Sequence, residues 1–435
     1  MAPVSSVKAN TARAFNPHLC AASGAMERVL DEVLKQLEGY EHFHQLRKRK
    51  RRPNDQKTFE RTVEAIICDL AIRYLEVTGG SVHLSLSHRV LRRKSRYKGV
   101  ALGKTLPNIL KIMAAEEMSF IEIEKGMTGE RLLGEDLKFT YTQGRQTTIK
   151  AGEKLLSRLL AYGITYEDIG TDPNEEVVLL RAKKRRNDDP ARSLEYADTE
   201  TTMTMRAELA AINAHLRAAD IICDTSSVNS CQRRLRRIFH DGDFECGGRL
   251  YGGFWQSMKS DDRLFDISID GDGVVELDVG QAAVLILYGT IGETPPEGDL
   301  YDLSSAGIPI ECRDGIKKII NAMISASKPL TRMPKGARKS IPTKFSLKDV
   351  QRAIDVAHPK LSELWHQGIF GKVWRIESDI MVRILMMLNA EGVTALPIHD
   401  AILVADEHKE LAGEVMRATY EAALGVTPEV SGKDG

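Results

Sequence analysis

The chain has 435 residues, with 61 Lys and Arg against 61 Asp and Glu, so its formal net charge is zero. That length supports a large core and two or more domains, and the balanced charge excludes a chain-wide pull toward polyanions, leaving any nucleic-acid surface to local basic clusters. The six cysteines (Cys20, Cys68, Cys223, Cys231, Cys246, Cys312) form no C-x-x-C pair, which argues against a zinc site or disulfide framework. With no signal-like or membrane-spanning apolar run, the expectation is a soluble, cytoplasmic protein with reduced thiols.

Residues 1–24 are mixed and polar and read as a loose tail. A helical pattern covers 25–46, with Val29, Leu30, Val33, Leu34 and Leu37 on one face, and runs into six consecutive cations, Arg47 to Arg52, closed by Pro53. Those cations read either as a solvated helix end or as phosphate contacts. Residues 59–76 predict a strong amphipathic helix, 84–91 a short one and 106–117 another with a proline near its start. A basic segment, 92–98, separates the last two, and 120–125 alternates as a strand before the turn at Gly126. Helix, basic loop, helix, strand and turn is the order of a winged helix, and its functional form lays the helix at Leu106 against a duplex. The spacing then predicts a helix over 147–162 and a strand over 176–181. A charged, proline-bounded linker covers 183–190. The N-terminal region therefore spans 25–186.

From about Leu194 the character changes. Residues 195–219 predict a long helix with Met205, Leu209, Ile212, Leu216 and Ala219 on one face, and the cluster Arg233, Arg234, Arg236 and Arg237 follows. The region 187–243 is expected to be helical, its arginines suited to the backbone of a duplex. A glycine-rich turn around Arg249 comes next, then Gln256.

The stretch Val274 to Tyr288 starts as a strand and ends as a helix, with Asp278 at the crossover. A carboxylate at the end of a core strand suits packing poorly, because burying an unpaired charge is costly. It suits a divalent cation well. Far downstream, His399 and Asp400 interrupt an apolar run that reads as a β-hairpin. A turn Asp and a satisfied core His are the ordinary readings of that pair taken alone. Between the two stretches, Arg313 and Lys317 are four apart on a predicted helix and share one face. In isolation they are ordinary surface charges.

Taken in order, these residues resemble the palm and fingers of the family A DNA polymerases and the related single-subunit phage-type RNA polymerases, over residues 244–435. The family's first carboxylate motif, a strand, Asp, two residues and Gln, is similar to Leu277-Asp278-Val279-Gly280-Gln281. Its fingers Arg and Lys match Arg313 and Lys317, its His-Asp hairpin matches His399-Asp400, and its primer-contacting Gly-Arg-Leu turn matches Gly248-Arg249-Leu250. The resemblance implies an α+β fold: an antiparallel palm sheet with helices, plus fingers helices, preceded by the mainly helical winged-helix-like domain. It implies template-directed nucleotidyl transfer from nucleoside triphosphates on a DNA primer–template or single-stranded template. Two Mg²⁺ ions would be shared by Asp278 and Asp400. Arg313 and Lys317 would grip the triphosphate and His399 the primer end, with Arg249, Gln256 and the four arginines of 233–237 on nucleic acid.

The departures bear on the sugar and on efficiency. Ala283 stands where the DNA enzymes carry a Glu that blocks a 2′-hydroxyl, and Asn321 and Ser325 stand where aromatics are usual on the fingers helix. Ala401 follows His-Asp where an acid is frequent. Ribonucleotide use therefore stays open, as does a rival reading in which the palm is a non-catalytic scaffold of a DNA-binding replication protein. No Gly-x-Ser-x-Gly or metalloprotease spacing supports a hydrolase.

Overall fold

The computed structural model of the chain describes residues 12–127, 131–133, 139–141, 144–184, 192–225 and 228–434. The first eleven residues of the expected tail, and most of the expected linker at 183–190, lie outside the described residues. Contacts divide the chain into two compact units, Met1–Glu176 with Ser227–Cys231, and Val177–Ser226 with Gln232–Gly435. Both mix helices and sheets, so the fold is α+β. Among the described residues no helix is long and apolar enough to cross a membrane.

The first unit is built on two long helices. α1 (Gly24–Phe43) begins at Ser23, whose Oγ accepts from the amide of Met26 at 3.2 Å, a capping bond that ends the preceding extended chain. α2 (Pro53–Glu76) starts a turn and a half before the predicted helix, because Pro53 fits the first helical turn, where its missing N–H leaves no unmet bond. From Ala65 to Arg73 every residue of α2 is buried, so this helix is the centre of its unit. Around it lie β1 (Arg13–Ala14), β2 (Leu19–Ala21), β3 (Ser81–Leu84), α3 (His88–Arg92), α4 (Leu106–Met113), β4 (Ile121–Glu124), β5 (Arg131–Leu133), β6 (Phe139–Tyr141), β7 (Thr147–Ala151), α5 (Glu153–Ala161) and β8 (Ile169–Thr171). The principal sheet has the order β1-β3-β7-β4, β2 pairs with β8, and β5 with β6.

Three expectations change here. The expected loose tail over residues 1–24 is structured from Arg13, where β1 pairs with β3 and β2 with β8, because Phe15 and Leu19 are buried in the core of the unit. The predicted helix over 84–91 is a strand end followed by the single-turn α3. The predicted helix over 147–162 is a strand and then a helix. Thr147, Thr148 and Ile149 are β-branched; all three pair with β3, and Thr148 and Ile149 pair with β4 as well, and Gly152 separates them from α5.

The second unit contains β9 (Val178–Leu180), α6 (Glu200–Ala218), β10 (Ile221–Cys223), β11 (Arg236–His240), β12 (Asp243–Tyr251), α7 (Ser260–Asp266), β13 (Ile267–Ile269), β14 (Asp272–Val279), α8 (Ala282–Thr290), α9 (Arg313–Ser325), α10 (Leu347–Ala357), α11 (Phe370–Ala390), β15 (Leu396–Ile398), β16 (Ala401–Ala405), α12 (Lys409–Leu424) and β17 (Val430–Asp434). Its main sheet is antiparallel, in the order β10-β13-β14-β16-β15, with β17 also on β14. β14 is therefore the central strand, bonded to β16 along one edge and to β13 and β17 along the other. α8, α11 and α12 pack on one another.

The smaller sheet has the order β12-β11-β9. It corrects the helical expectation for 187–243, where α6 is the one long helix among the described residues and Arg236 and Arg237 lie on a strand. β11 crosses a bulge against β12, and α11 lies close along it. A Cβ on Gly371 would collide with Sγ of Cys246, so only glycine lets the start of α11 approach β12 this closely. The junction is tied by Arg237. Its buried guanidinium donates to Gly248 O at 3.0 Å, Ser378 Oγ at 3.0 Å and Asp379 Oδ1 at 2.8 Å. Burial pulls its pKa down to about 10.

Replacing Arg237 with Ala removes one donor each from the Gly248 carbonyl, which keeps Ser378 Oγ, and from the part-exposed Asp379, which keeps Arg375, and it empties a buried site. The second unit should lose roughly 1–3 kcal/mol of stability, the scale of losing buried hydrogen-bond partners. Urea unfolding followed by tryptophan fluorescence checks it, since Trp255, Trp365 and Trp374 all lie in this unit; a loss under about 1 kcal/mol would mean the guanidinium is not structural.

Candidate active site

Asp278 is the second-to-last residue of the central strand β14. In the ladder it faces Ala401 of β16, and Asp400 immediately precedes Ala401. The two aspartates, 122 positions apart in sequence, are therefore neighbours across one pair of strands. Glu276 and Asp278 point to the same face, but Glu276 is taken by Arg263 at 2.8 Å. The Asp278 carboxyl is raised to about 6, first by desolvation and then by the charge of Asp400, while Lys317 pulls it down. Two like charges thus oppose each other beneath a lysine of α9.

Two turns hold this arrangement, and both use a left-handed residue that is not glycine. Gln281 (φ 65°) joins β14 to α8, and His399 (φ 60°) opens the two-residue turn between β15 and β16. Such φ values cost a side-chain-bearing residue energy that surrounding contacts must offset. The Gln281 side-chain Oε1 accepts from the backbone amide of Leu300 at 2.5 Å, fixing the turn that carries Asp299 and Tyr301. His358, fully buried, fixes it again: its ring bonds to Leu300 O at 2.8 Å and to the Tyr288 hydroxyl at 3.0 Å. A carbonyl can only accept, so Nε2 carries the proton and Nδ1 accepts from Tyr288.

On α9, Arg313 and Lys317 do share a face. The Arg313 guanidinium pairs with Asp299 and lies 5.3 Å from the centre of the buried Tyr301 ring, and Lys317 Nζ lies 6.0 Å from the same ring. Lys317 itself is exposed. One turn on, Asn321 has a buried Oδ1 with no hydrogen-bond partner among the described residues, and Ser325, at the helix end, bonds back to Asn321 O at 2.8 Å. Ala283 sits half-buried in the first turn of α8. His399 is pushed below its ordinary value by burial and by Arg249, with Asp400 opposing, and its buried Nδ1 is also without a partner.

Sequence reasoning missed Glu377. It is buried on α11 and grips the Arg249 guanidinium with both oxygens, at 2.7 and 2.8 Å. Arg249 also lies 4.8 Å from the centre of the Trp374 ring. Burial raises Glu377 to about 7 against the pull of Arg249, and Asp400 and Asp278 add to the rise. Tyr420 on α12 is buried beside the same acids and is raised well above its ordinary value, first by burial. A Glu inside an apolar helix stripe was the available signal.

The expected nucleic-acid contacts divide. Arg237 is a core residue, as described above, and cannot reach a duplex. Arg233 donates to Ala219 O and Ile221 O, both at 2.7 Å, closing the end of α6. Gln256 bonds to Leu250 O and Pro397 O, both at 3.0 Å, joining the Arg249 strand to the His399 hairpin. These three are corrected from ligand contacts to internal ties, because their polar atoms are already bonded within the protein. Arg234 and Arg236 are half-buried. Arg249 is held by Glu377 but remains beside His399.

Could these residues hold a metal? Two neighbouring carboxylates, one of them raised by burial and by the charge of the other, are a donor set a cation would relieve. Among the described residues no group of three or more His, Cys, Asp or Glu side chains gathers as a ligand cluster, so the fit is to an ion whose remaining ligands come from substrate and water.

Because its folded pKa lies above its ordinary value, Glu377 contributes stability that is complete below about pH 4.5 and lost as pH rises through about 7. Glu377→Gln removes that slope. The melting-temperature difference, variant minus wild type, should become more positive between pH 5 and pH 8, and a difference that stays flat would refute the shift.

No protein-family model matches the chain, and no curated protein matches it in sequence. Among solved structures it is similar to the POL domain of Pol1 from M. smegmatis in complex with DNA primer-template and dNTP, with a TM-score of 0.32 and 9% identity, covering 96% of this chain and 67% of that one. A likeness at that level decides nothing about activity, and the site is read from its own residues.

Proposed function

We propose that the second unit is a template-directed nucleotidyltransferase of the palm type, extending a nucleic-acid strand from nucleoside triphosphates. The observation that carries the reading is the convergence of Asp278 and Asp400 on adjacent strands beneath the Arg313–Lys317 face of α9. The resemblance of the ordered motifs supports it independently. So do the unpartnered Asn321 Oδ1 and His399 Nδ1, buried polar atoms of the kind a bound ligand satisfies.

In this reading Asp278 and Asp400 hold divalent ions of the magnesium class. When bound, these supply Lewis-acid polarisation of the attacking 3′-hydroxyl and of the leaving phosphate. The protein's own side chains supply position and charge. Lys317 offers an exposed ammonium to the triphosphate. Arg313 is pre-oriented by Asp299 and the Tyr301 ring, so little freedom is lost when a phosphate replaces the carboxylate. His399 stays neutral at pH 7, offering one ring N–H and one acceptor to a primer end. Glu377 holds Arg249 against Trp374, so that its guanidinium presents a fixed edge.

Primed-template extension tests the assignment. Asp278→Asn and Asp400→Asn should each lower incorporation at least about a hundredfold, the scale of losing one electrostatic element of a transition state, with circular dichroism unchanged. Wild-type incorporation from either variant would end the catalytic reading.

The missing steric block at Ala283 leads to a second proposal, that ribonucleotides are accepted. Comparable extension from rNTPs and dNTPs is expected, and Ala283→Glu should cut rNTP use at least about tenfold while leaving dNTP use within a few-fold. Strict refusal of rNTPs by the wild-type chain would overturn it.

A further inference from the structure

The first unit carries a basic surface that the polymerase reading does not use. Between Glu76 and Glu116 the chain contains no acid in 39 residues, where its average of 61 acids in 435 would place about five. The same stretch carries eight cations: Arg89, Arg92, Arg93, Lys94, Arg96, Lys98, Lys104 and Lys111. A chain of zero net charge has thus concentrated positive charge on α3, α4 and the loop that joins them.

The fold presents that charge in a particular way. α2, β3, α3, α4, β4, the β5–β6 hairpin and β7 follow in the order helix, strand, helix, helix, strand, hairpin, strand, and the three strands pair antiparallel as β3-β7-β4. This is the connectivity of a winged helix, in which the second helix of the α3–α4 pair is the reading element. α4 buries Leu106, Ile109, Leu110 and Met113. Its opposite side exposes Lys104 just before the helix, then Asn108 and Lys111 at helical spacing. None of these three makes an ion pair or side-chain hydrogen bond among the described residues. The exposed Arg89, Arg92, Arg93 and Lys94 on and after α3 also form no ion pair among them.

A second basic segment adjoins α4. Arg47 and Arg51 line a cleft of about 850 Å³ together with Thr105, Asn108 and Lys111. Arg51 is occupied, bonded to Glu41 at 2.6 Å and lying 3.7 Å from the centre of the Phe59 ring. Arg47, Lys48, Arg49 and Lys50 are exposed and form no ion pair among the described residues. Besides Glu41, which Arg51 takes, four acids oppose the field: Glu38 beside the 47–50 segment, Asp55 in the same cleft, and Glu116 and Glu117 beyond the end of α4. The uncompensated cations outnumber them.

We propose that this surface binds double-stranded DNA, with α4 in the major groove, Asn108 toward base edges, and Lys104, Lys111 and the 47–50 segment on flanking phosphates. An eight-residue helix is about 12 Å long and about 10–12 Å across, which the roughly 12 Å B-form major groove admits. The deep, narrow major groove of A-form RNA does not admit it. Asn pairs bidentately with adenine, while lysines supply sequence-independent, salt-sensitive attraction. The proposal does not rest on the polymerase reading.

The test uses the full chain and a DNA duplex of about 20 base pairs, two helical turns, closed by a loop at each end. Such a probe offers no 3′ end, so binding to it is separable from primer-terminus binding. Fluorescence anisotropy is measured across a salt series without divalent ions. Wild-type protein should bind with a steep salt dependence. Lys104→Ala/Lys111→Ala should weaken binding about tenfold at low salt and reduce the log–log slope by about two. Arg49→Ala/Lys50→Ala, in a different exposed segment, should do the same and guards against one variant misfolding. Failure of the wild type to bind the closed duplex would overturn the proposal. Unchanged affinity and slope in both variants would do so as well, and so would equal affinity for a closed RNA duplex of the same length.

Discussion

Like charges do not gather on adjacent strands without something to hold them, and here the holder is hydrogen-bond register. β14 is bonded along both edges, to β16 on one side and to β13 and β17 on the other. A one-residue slip of β14 would turn Val275, Leu277 and Val279 out of the core and break ladders on both sides. The pairing of Asp278 with Ala401 is therefore set by apolar burial along the rest of the strand, and Asp400 is brought close whether or not its charge is welcome. Folding energy from the sheet offsets the burial and the repulsion that raise Asp278, and leaves the pair ready for a cation.

The same logic sorts the arginines. Arg237 and Arg249 are close in sequence and both meet α11, yet their environments differ. Arg237 is enclosed by Gly248, Ser378 and Asp379 and joins β11 to α11. Arg249, two strand positions beyond Gly247, reaches the edge of the site, with its guanidinium held by Glu377 and Trp374. Arg375 adds a third tie, donating to Phe244 O at 2.9 Å and pairing with Asp379. α11 thus carries one acid for the guanidinium near the site and another for the guanidinium in the core. A basic cluster in sequence gives the amount of charge but not its direction, which depends on which faces the neighbouring elements cover.

That distinction also explains what the sequence made legible. The strand-to-helix passage at 274–288, the helix from Arg313 and the hairpin at 396–405 are all local patterns, in which propensity, period and turn position agree. Where propensity and tertiary pairing disagreed, the reading failed. Local pattern alone extends a helix through Thr147–Ala151, because its two strand partners, β3 and β4, lie 63 to 69 and 24 to 30 positions away in sequence. Arg236–His240 was read as helical because a basic run carries no period, whereas its strand state is imposed by β9 and β12. The position of Glu377 in an apolar stripe marks it as unusual, but its role is not legible locally because its partner lies 128 residues upstream.

The two left-handed residues at the site give the last step. At Gln281 and His399 the backbone demands a positive φ that glycine or asparagine would adopt with less strain. Elsewhere in the chain that demand is mostly met by glycine, at Gly271, Gly307, Gly336 and Gly425 among others. A fold needing only the turn would be better served by glycine here too. Among the described residues Gln45, Ser119, Asp241, Asp270 and His366 also take a positive φ, and His366 too has an unpartnered buried Nδ1, so what sets Gln281 and His399 apart is what their side chains can bond beside the two aspartates. Gln281 answers in part within the protein, through Leu300. His399 does not, because its buried Nδ1 has no partner among the described residues. Its strained backbone and unmet nitrogen, one residue from Asp400, make sense together if the missing partner is a ligand that binds where the two carboxylates meet.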